Sequence, residues 1–114
     1  MSDQRFIIEM GMGNDQYGMD YTKAAARAIE DAIRHSSIPM LAARDIEHTK
    51  MRVQVTIGVQ EPDKLDTEAL KSAMPRGTAT IGATHGGLNV ANPDTGDTIV
   101  MATAAVEVFL PRQY

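Results

Sequence analysis

The chain has 114 residues, a formal net charge of −4 and no cysteine, and its hydrophobic residues, 43% of the total, include few aromatics. That length fits one domain able to bury its own core, and an acidic balance without a dense Lys/Arg cluster argues against a nucleic-acid partner. Disulfides and thiolate metal sites are excluded. The longest apolar run, residues 99–110, is interrupted by Glu107 and too short to span a bilayer, so no membrane partner is expected.

The N-terminal stretch MSDQRFIIEM lacks the basic and long apolar segments of a secretory leader, and the cytoplasm is the expected location. Within it, residues 5–10 read as a first strand: Phe6, Ile8 and Met10 fall on one face, Ile7 and Glu9 on the other. A glycine-rich segment follows, EMGMGNDQYGMD, and is expected to form a loop between this strand and a helix. Residues 20–35 carry the 3.6-residue period, with Ala25, Ala28, Ile29, Ala32 and Ile33 as the apolar stripe. Asp20 or Thr22 supplies the cap oxygen. Glu30–Arg34 and Arg27–Asp31 form pairs one turn apart on the wet face, and Ser36, Ser37 and Pro39 end the helix.

Residues 40–50 favour no regular element and are read as a turn or irregular excursion. Val53, Val55, Ile57 and Val59 then alternate with Arg52, Gln54, Thr56 and Gly58, the cleanest strand in the chain. A second helix is expected over residues 62–74, capped by Asp63 or Asp66, lined by Leu65, Ala69, Leu70 and Ala73 and stopped by Pro75. Residues 78–83 alternate as a strand, and Leu88 and Val90 mark a short one. Asn92, Pro93, Asp94, Gly96 and Asp97 make a turn, and residues 98–110 form the last strand, with Val100, Ala102, Ala104, Val106, Val108 and Leu110 on one face. Two crossovers followed by hairpin-like strands imply an α+β two-layer sandwich, a mixed sheet of four to five strands with two helices on one face. The polar second face of residues 52–58 rules out a doubly wound sheet. It is expected to meet another subunit, making the protein a homo-oligomer.

A glycine loop at a helix N-terminus is a place where backbone N–H groups point outward. The dinucleotide pattern fails, because Gln16 stands where its third glycine belongs, and no Gly-Lys-Ser/Thr follows for a phosphate loop. Asp15 would repel a phosphate and suits a cation, an amine or an N–H-rich neutral ligand. The plainer reading is that the glycines serve a tight turn and Asp15 accepts local N–H groups.

Gly11-Met12-Gly13-Asn14-Asp15-Gln16-Tyr17-Gly18 resembles the Gly-x-Gly-x-Asp-x-His-Gly signature of an uncharacterised bacterial family of conserved hypothetical proteins of about this length. The resemblance extends over the whole chain, including DYTKAAARAIEDAIRHSS. It implies a functional site at this segment without naming its chemistry. The sequence departs at Tyr17, where the family pattern has His; a phenol donates a hydrogen bond but is a poor base at neutral pH. Size and strand order also resemble, at the level of fold alone, the modules of ring-opening amidohydrolases that act on cyanuric acid or barbiturate, and small trimeric chorismate-mutase-like proteins.

The second glycine cluster, GATHGG, holds His85 at a strand end, where the alternative is an exposed His in a bulge or hairpin. If the two glycine segments converge at one rim of the sheet, Asp15 and His85 form a base and its orienting partner, with Tyr17 as donor. Gly11, Gly13, Gly18, Glu9, Thr84 and Gly86 would then line the ligand. Glu9, Asp15 and His85 match no standard metal-ligand spacing; no metal and no cofactor are expected. His35 suits a helix C-terminus, His48 and Lys50 precede the polar-faced strand, Arg52 suits an interface, and Met10, Met12 and Met19 suit gap filling. Two functions follow: a small-molecule enzyme or binder using Asp15, His85 and Tyr17, or a non-catalytic assembly protein whose loops serve subunit contacts.

Overall fold

The computed structural model describes residues 3–34, 52–72 and 78–111; the expectations for residues 40–50 and for His35, Ser36, Ser37, Pro39, His48, Lys50, Ala73 and Pro75 lie outside them. Strand β1 (Asp3–Asp15) leads to helix α1 (Tyr21–Arg34), strand β2 (Arg52–Val59), a 3-10 turn (Pro62–Lys64), helix α2 (Thr67–Lys71), and strands β3 (Thr78–His85), β4 (Leu88–Ala91) and β5 (Thr98–Pro111). The strands lie in the order β1-β5-β2-β3, with β4 also on β5. β5 runs antiparallel to β1, β2 and β4, and β2 and β3 are parallel. The sheet is therefore mixed and open, with both helices in one layer beside it.

Period-two alternation decides which face is covered. Val53, Val55, Ile57 and Val59 of β2, and Val100, Ala102, Ala104, Val106, Val108 and Leu110 of β5, are all buried, as their spacing predicts. Ala24, Ala25, Ala28, Ile29 and Ala32 of α1 and Leu70 of α2 close over them. Each fully buried Val or Ile contributes about 1.5–3 kcal/mol relative to exposure.

β1 is longer than its sequence suggests, and Gly11 and Gly13 belong to the strand rather than to a loop. Both pair with β5, opposite Ala104 and Ala102, and both face α1. A Cβ on Gly11 would lie 2.5 Å from Ala28 O and 2.9 Å from Ala32 Cα; one on Gly13 would lie 2.5 Å from Arg27 Cβ and 2.6 Å from Ala24 O. The glycines of the strand and the alanines of the helix are two sides of one close approach. Only Gly18, at φ 94°, and Met19, at φ 51°, turn the chain into α1.

The second helix is shorter than expected. Leu65 is extended after the Pro62–Lys64 turn, and a new helix starts at Asp66, whose carboxylate accepts from Ala69 N at 3.1 Å. Asp66 N in turn donates to Thr22 Oγ1 at 2.9 Å, so Thr22 anchors α2, while Asp20 caps α1 by accepting from Lys23 N at 3.0 Å. Arg27 and Asp31 reach β1 rather than each other along the wet face: Met12 N donates to Asp31 Oδ2 at 3.0 Å, and Arg27 Nη1 to Asn14 O at 2.6 Å. They thereby occupy the outer edge of β1, which would otherwise present unpaired backbone groups.

β3 and β4 follow one another in the same direction but in different lanes. β3 pairs with β2 as far as Val59↔His85, and β4 then pairs with β5 from Leu88↔Met101 to Ala91↔Thr98, in the lane that β2 has vacated. Gly86 and Gly87 make the crossing. Gly86 N donates to Val59 O at 2.9 Å, and Gln60 Nε2 donates to Gly86 O and Gly87 O at 3.1 Å each.

Candidate functional site

Strand register brings together residues that are far apart in the chain. Met12 pairs with Thr103, Thr103 with Gly58, and Gly58 with Thr84, giving one row across β1, β5, β2 and β3. The next row runs Met10–Ala105–Thr56–Gly82. Both rows lie on the face of the sheet away from the helices. They bound a cavity of about 530 Å³ into which Asp31, His85 and Gly86 also open. That volume falls within the usual range for small-molecule sites.

Gly58 lies buried in the cavity lining, closely covered by its neighbours. A Cβ there would stand 2.7 Å from Thr103 Oγ1 and 3.4 Å from Gly86 Cα. Around the cavity sit three hydroxyls, an imidazole, a carboxylate that already accepts from Met12 N, and two methionine side chains at one end. Hydroxyls both donate and accept, a neutral imidazole does the same through its two nitrogens, and thioethers adapt to apolar shapes. Among the described residues that line it there is no Lys or Arg. Nor, among the described residues, does any group of three or more His, Asp or Glu side chains come together as a metal site.

Of the residues singled out from sequence, Gly11, Thr84, His85 and Gly86 line this cavity, whereas Asp15, Tyr17, Gly13, Gly18 and Glu9 do not. Glu9, Gly13 and Asp15 share the helix-side parity of β1. Asp15, 3% exposed, ends the strand and fastens it to α1. Its Oδ2 accepts from Asp20 N at 3.0 Å, and its Oδ1 stands 3.8 Å from both Lys23 Nζ and Arg27 Nη1. A carboxylate at a helix N-terminus with two cations beside it satisfies local donors and complements the helix dipole. Tyr17 is 75% exposed in the connection. Asp15→Ala is expected to lower stability by about 1–3 kcal/mol, since it orphans a backbone donor and removes a buried ion-pair partner; chemical denaturation with and without the substitution measures it.

Sequence reasoning missed Thr56, Gly58, Thr103 and Asp31. For Thr56 and Gly58 the signal is the polar face of β2; Thr103 on β5 and Asp31 on α1 carry none in the sequence. It also missed a second polar cluster at the start of α1. The buried Tyr21 donates through its hydroxyl to Glu61 Oε2 at 2.9 Å and accepts from Asn89 Nδ2 at 2.8 Å. The hydrogen bond from Tyr21, and then that from Lys64, hold the Glu61 carboxyl below the usual range. The cluster links α1, the end of β2 and β4, fixing the position of the lane change beside the cavity.

The chain belongs to a family of conserved hypothetical proteins, Lin0512_fam, whose model matches residues 5–108. It is also similar to a protein from Nostoc punctiforme, known from a crystal structure and described as FtsZ-like and of unknown function. The two are 32% identical, the match covers 98% of this chain and 99% of that one, and the TM-score is 0.81. No curated protein matches the chain. Among the described residues, no helix is long and apolar enough to cross a membrane.

Proposed function

We propose that this protein binds a small organic molecule, uncharged or weakly charged, on the open face of its sheet. The observation that carries this reading is the convergence of Thr56, Thr84 and Thr103 from three strands around one cavity. A ligand with hydrogen-bonding groups along one edge and an apolar end matches that lining: hydroxyls and His85 toward β2 and β3, Met10 and Met12 toward β1. Asp31, at the β1 edge, favours a ligand N–H over a ligand carbonyl there. A phosphate-rich ligand has no cationic partner in the described lining and fits poorly. In this reading His85 is a ligand hydrogen-bonding group, and Asp15 acts on the scaffold.

The test is ligand capture: mass spectrometry of small molecules released from the purified chain, compared with Gly58→Ala and Thr84→Val. Gly58→Ala sets a methyl 2.7 Å from Thr103 Oγ1 and is expected to keep the fold while displacing that hydroxyl and abolishing capture. Thr84→Val keeps shape and removes one hydroxyl; a lost hydrogen bond of about 1 kcal/mol corresponds to roughly fivefold weaker binding. A molecule captured equally by wild type and Gly58→Ala would place the binding site elsewhere.

A further inference from the structure

Three consecutive residues at the end of β3, Thr84, His85 and Gly86, form one wall of the cavity. Strand pairing holds that wall on one side only. β3 stands at the end of the strand order, and its last pair with β2 is Val59↔His85. Beyond it the chain runs through Gly86 and Gly87 before β4 takes up its pairing with β5 at Leu88↔Met101. These two glycines have no side chains of their own to pack, and glycine fixes its own backbone less than any other residue.

Among the described residues, one side chain hydrogen-bonds to this crossing. Gln60 Nε2 donates to Gly86 O and to Gly87 O, each at 3.1 Å. Both partners are carbonyls, which only accept, so the amide nitrogen must face them and both of its hydrogens are used. The amide is thereby fixed in orientation as well as in place. Gly86 N donates in turn to Val59 O at 2.9 Å, on the strand that Gln60 continues. A Cβ on Gly86 would lie 3.2 Å from Gly58 Cα, and one on Gly58 would lie 3.4 Å from Gly86 Cα, so the two glycines meet face to face. Gln60 draws the crossing onto Gly58, and two bare Cα atoms let it come.

We propose that Gln60 is a positioning residue of the cavity. Its amide clamps the Gly86 and Gly87 carbonyls and so sets where Thr84 and His85 stand opposite Thr103. Thr84 and Thr103 both pair with Gly58, from opposite sides, which puts their Cα atoms two lanes or about 9.5 Å apart. A shift of the crossing alters that span directly. Gln60 does not itself line the cavity, so it acts through the wall and not on the ligand. Its bearing on affinity rests on the small-molecule reading above; its bearing on the wall does not.

The role is specific to this side chain. Asn carries the same amide on a stem one methylene shorter. Glu has the reach, but its carboxylate only accepts and would face two carbonyl oxygens; protonated, it offers one donor in place of two. That difference supplies a readout that a general loss of packing does not reproduce.

The test is NMR on the full chain, with amide exchange read at Gly86 N, whose acceptor is Val59 O. Gln60→Leu keeps the bulk and loses both donors. Exchange at Gly86 is expected to rise roughly tenfold or more, with the amides of Ala25, Ala28 and Ile29 in α1 within about twofold of wild type. In Gln60→Glu the introduced carboxyl is expected to titrate above the usual value of about 4.3, because the facing carbonyl oxygens disfavour its charged form. The clamp is then present at low pH and lost as pH rises through that raised value, so the Gly86 and Gly87 amide shifts depart from those of wild type as pH rises. Wild type over the same range is the control for Glu61, its ion-pair partner Lys64, and His85, the titratable groups beside the clamp. No ligand is needed, so this outcome is separate from that of the capture experiment. Unchanged Gly86 exchange in Gln60→Leu, an acceleration spread equally over α1, or Gln60→Glu shifts that follow wild type at every pH would each overturn the proposal.

Discussion

Gly13→Val is expected to lower the melting temperature by about 12 °C or more, the equivalent of roughly 3 kcal/mol in a domain of this size. The loss comes from backbone meeting backbone. A Cβ at this position would stand 2.6 Å from Ala24 O and 2.5 Å from Arg27 Cβ, and nearer still to Ala28 N. No rotamer change relieves a clash with a helix backbone, so α1 must move away from β1. That displacement opens the contacts of Ala24, Ala28 and Ala32, which are fully buried. The same reasoning covers Gly11→Val against Ala28 and Ala32. By contrast, a valine at Asn14, exposed on the other face, is expected to leave the melting temperature within a few degrees of wild type. Differential scanning calorimetry on this pair separates a packing role for the glycines from a turn role, because a turn role would not discriminate by sheet face.

Gly87→Ala is expected to be comparably costly, for a different reason. Gly87 has φ 64°, a left-handed conformation that a side chain occupies at a cost of roughly 1 kcal/mol. A Cβ there would also lie 2.9 Å from Gly58 O and 3.2 Å from Met101 C, and nearer still to Met101 O. The substitution therefore forces the crossing strand away from both β2 and β5, for a combined loss of about 2–4 kcal/mol. The predicted signature is local as well as global: amide exchange should accelerate in β4 and at Gly58 before it accelerates in α1. A Gly87→Ala protein with wild-type stability would mean that the lane change is not locked in the way described.

Much of the layer structure is legible in the sequence because burial imposes simple periods. β5 alternates strictly, β2 does so as far as Ile57, and every residue assigned to their inner face is buried. The alanine and isoleucine stripe of α1 is equally plain. The end of β1 is not legible, because glycine has two readings. In a loop it supplies positive φ; in a strand beneath a helix it supplies the absence of a Cβ. Gly11 and Gly13 are of the second kind and Gly18 of the first, and single-chain spacing does not separate them. The complementary signal was present in AAARA of α1, whose small residues need an equally close partner. The cavity was half legible. Thr84, His85 and Gly86 stand out as a cluster, but Thr56, Gly58 and Thr103 reach them only through strand register, which is fixed by the shared pairing of β2 and β5 rather than by any local motif.

The most direct measurement is the backbone amide NMR spectrum of the isotopically labelled protein, recorded against a library of small polar heterocycles and amides. The predicted result is that binding molecules shift the amides of Thr56, Gly58, Thr84 and Thr103 together, leave Asp15, Tyr17 and Gly18 in place, and lose their effect in Gly58→Ala. Shifts concentrated at Asp15–Gly18, with the cross-strand row unmoved, would contradict the account.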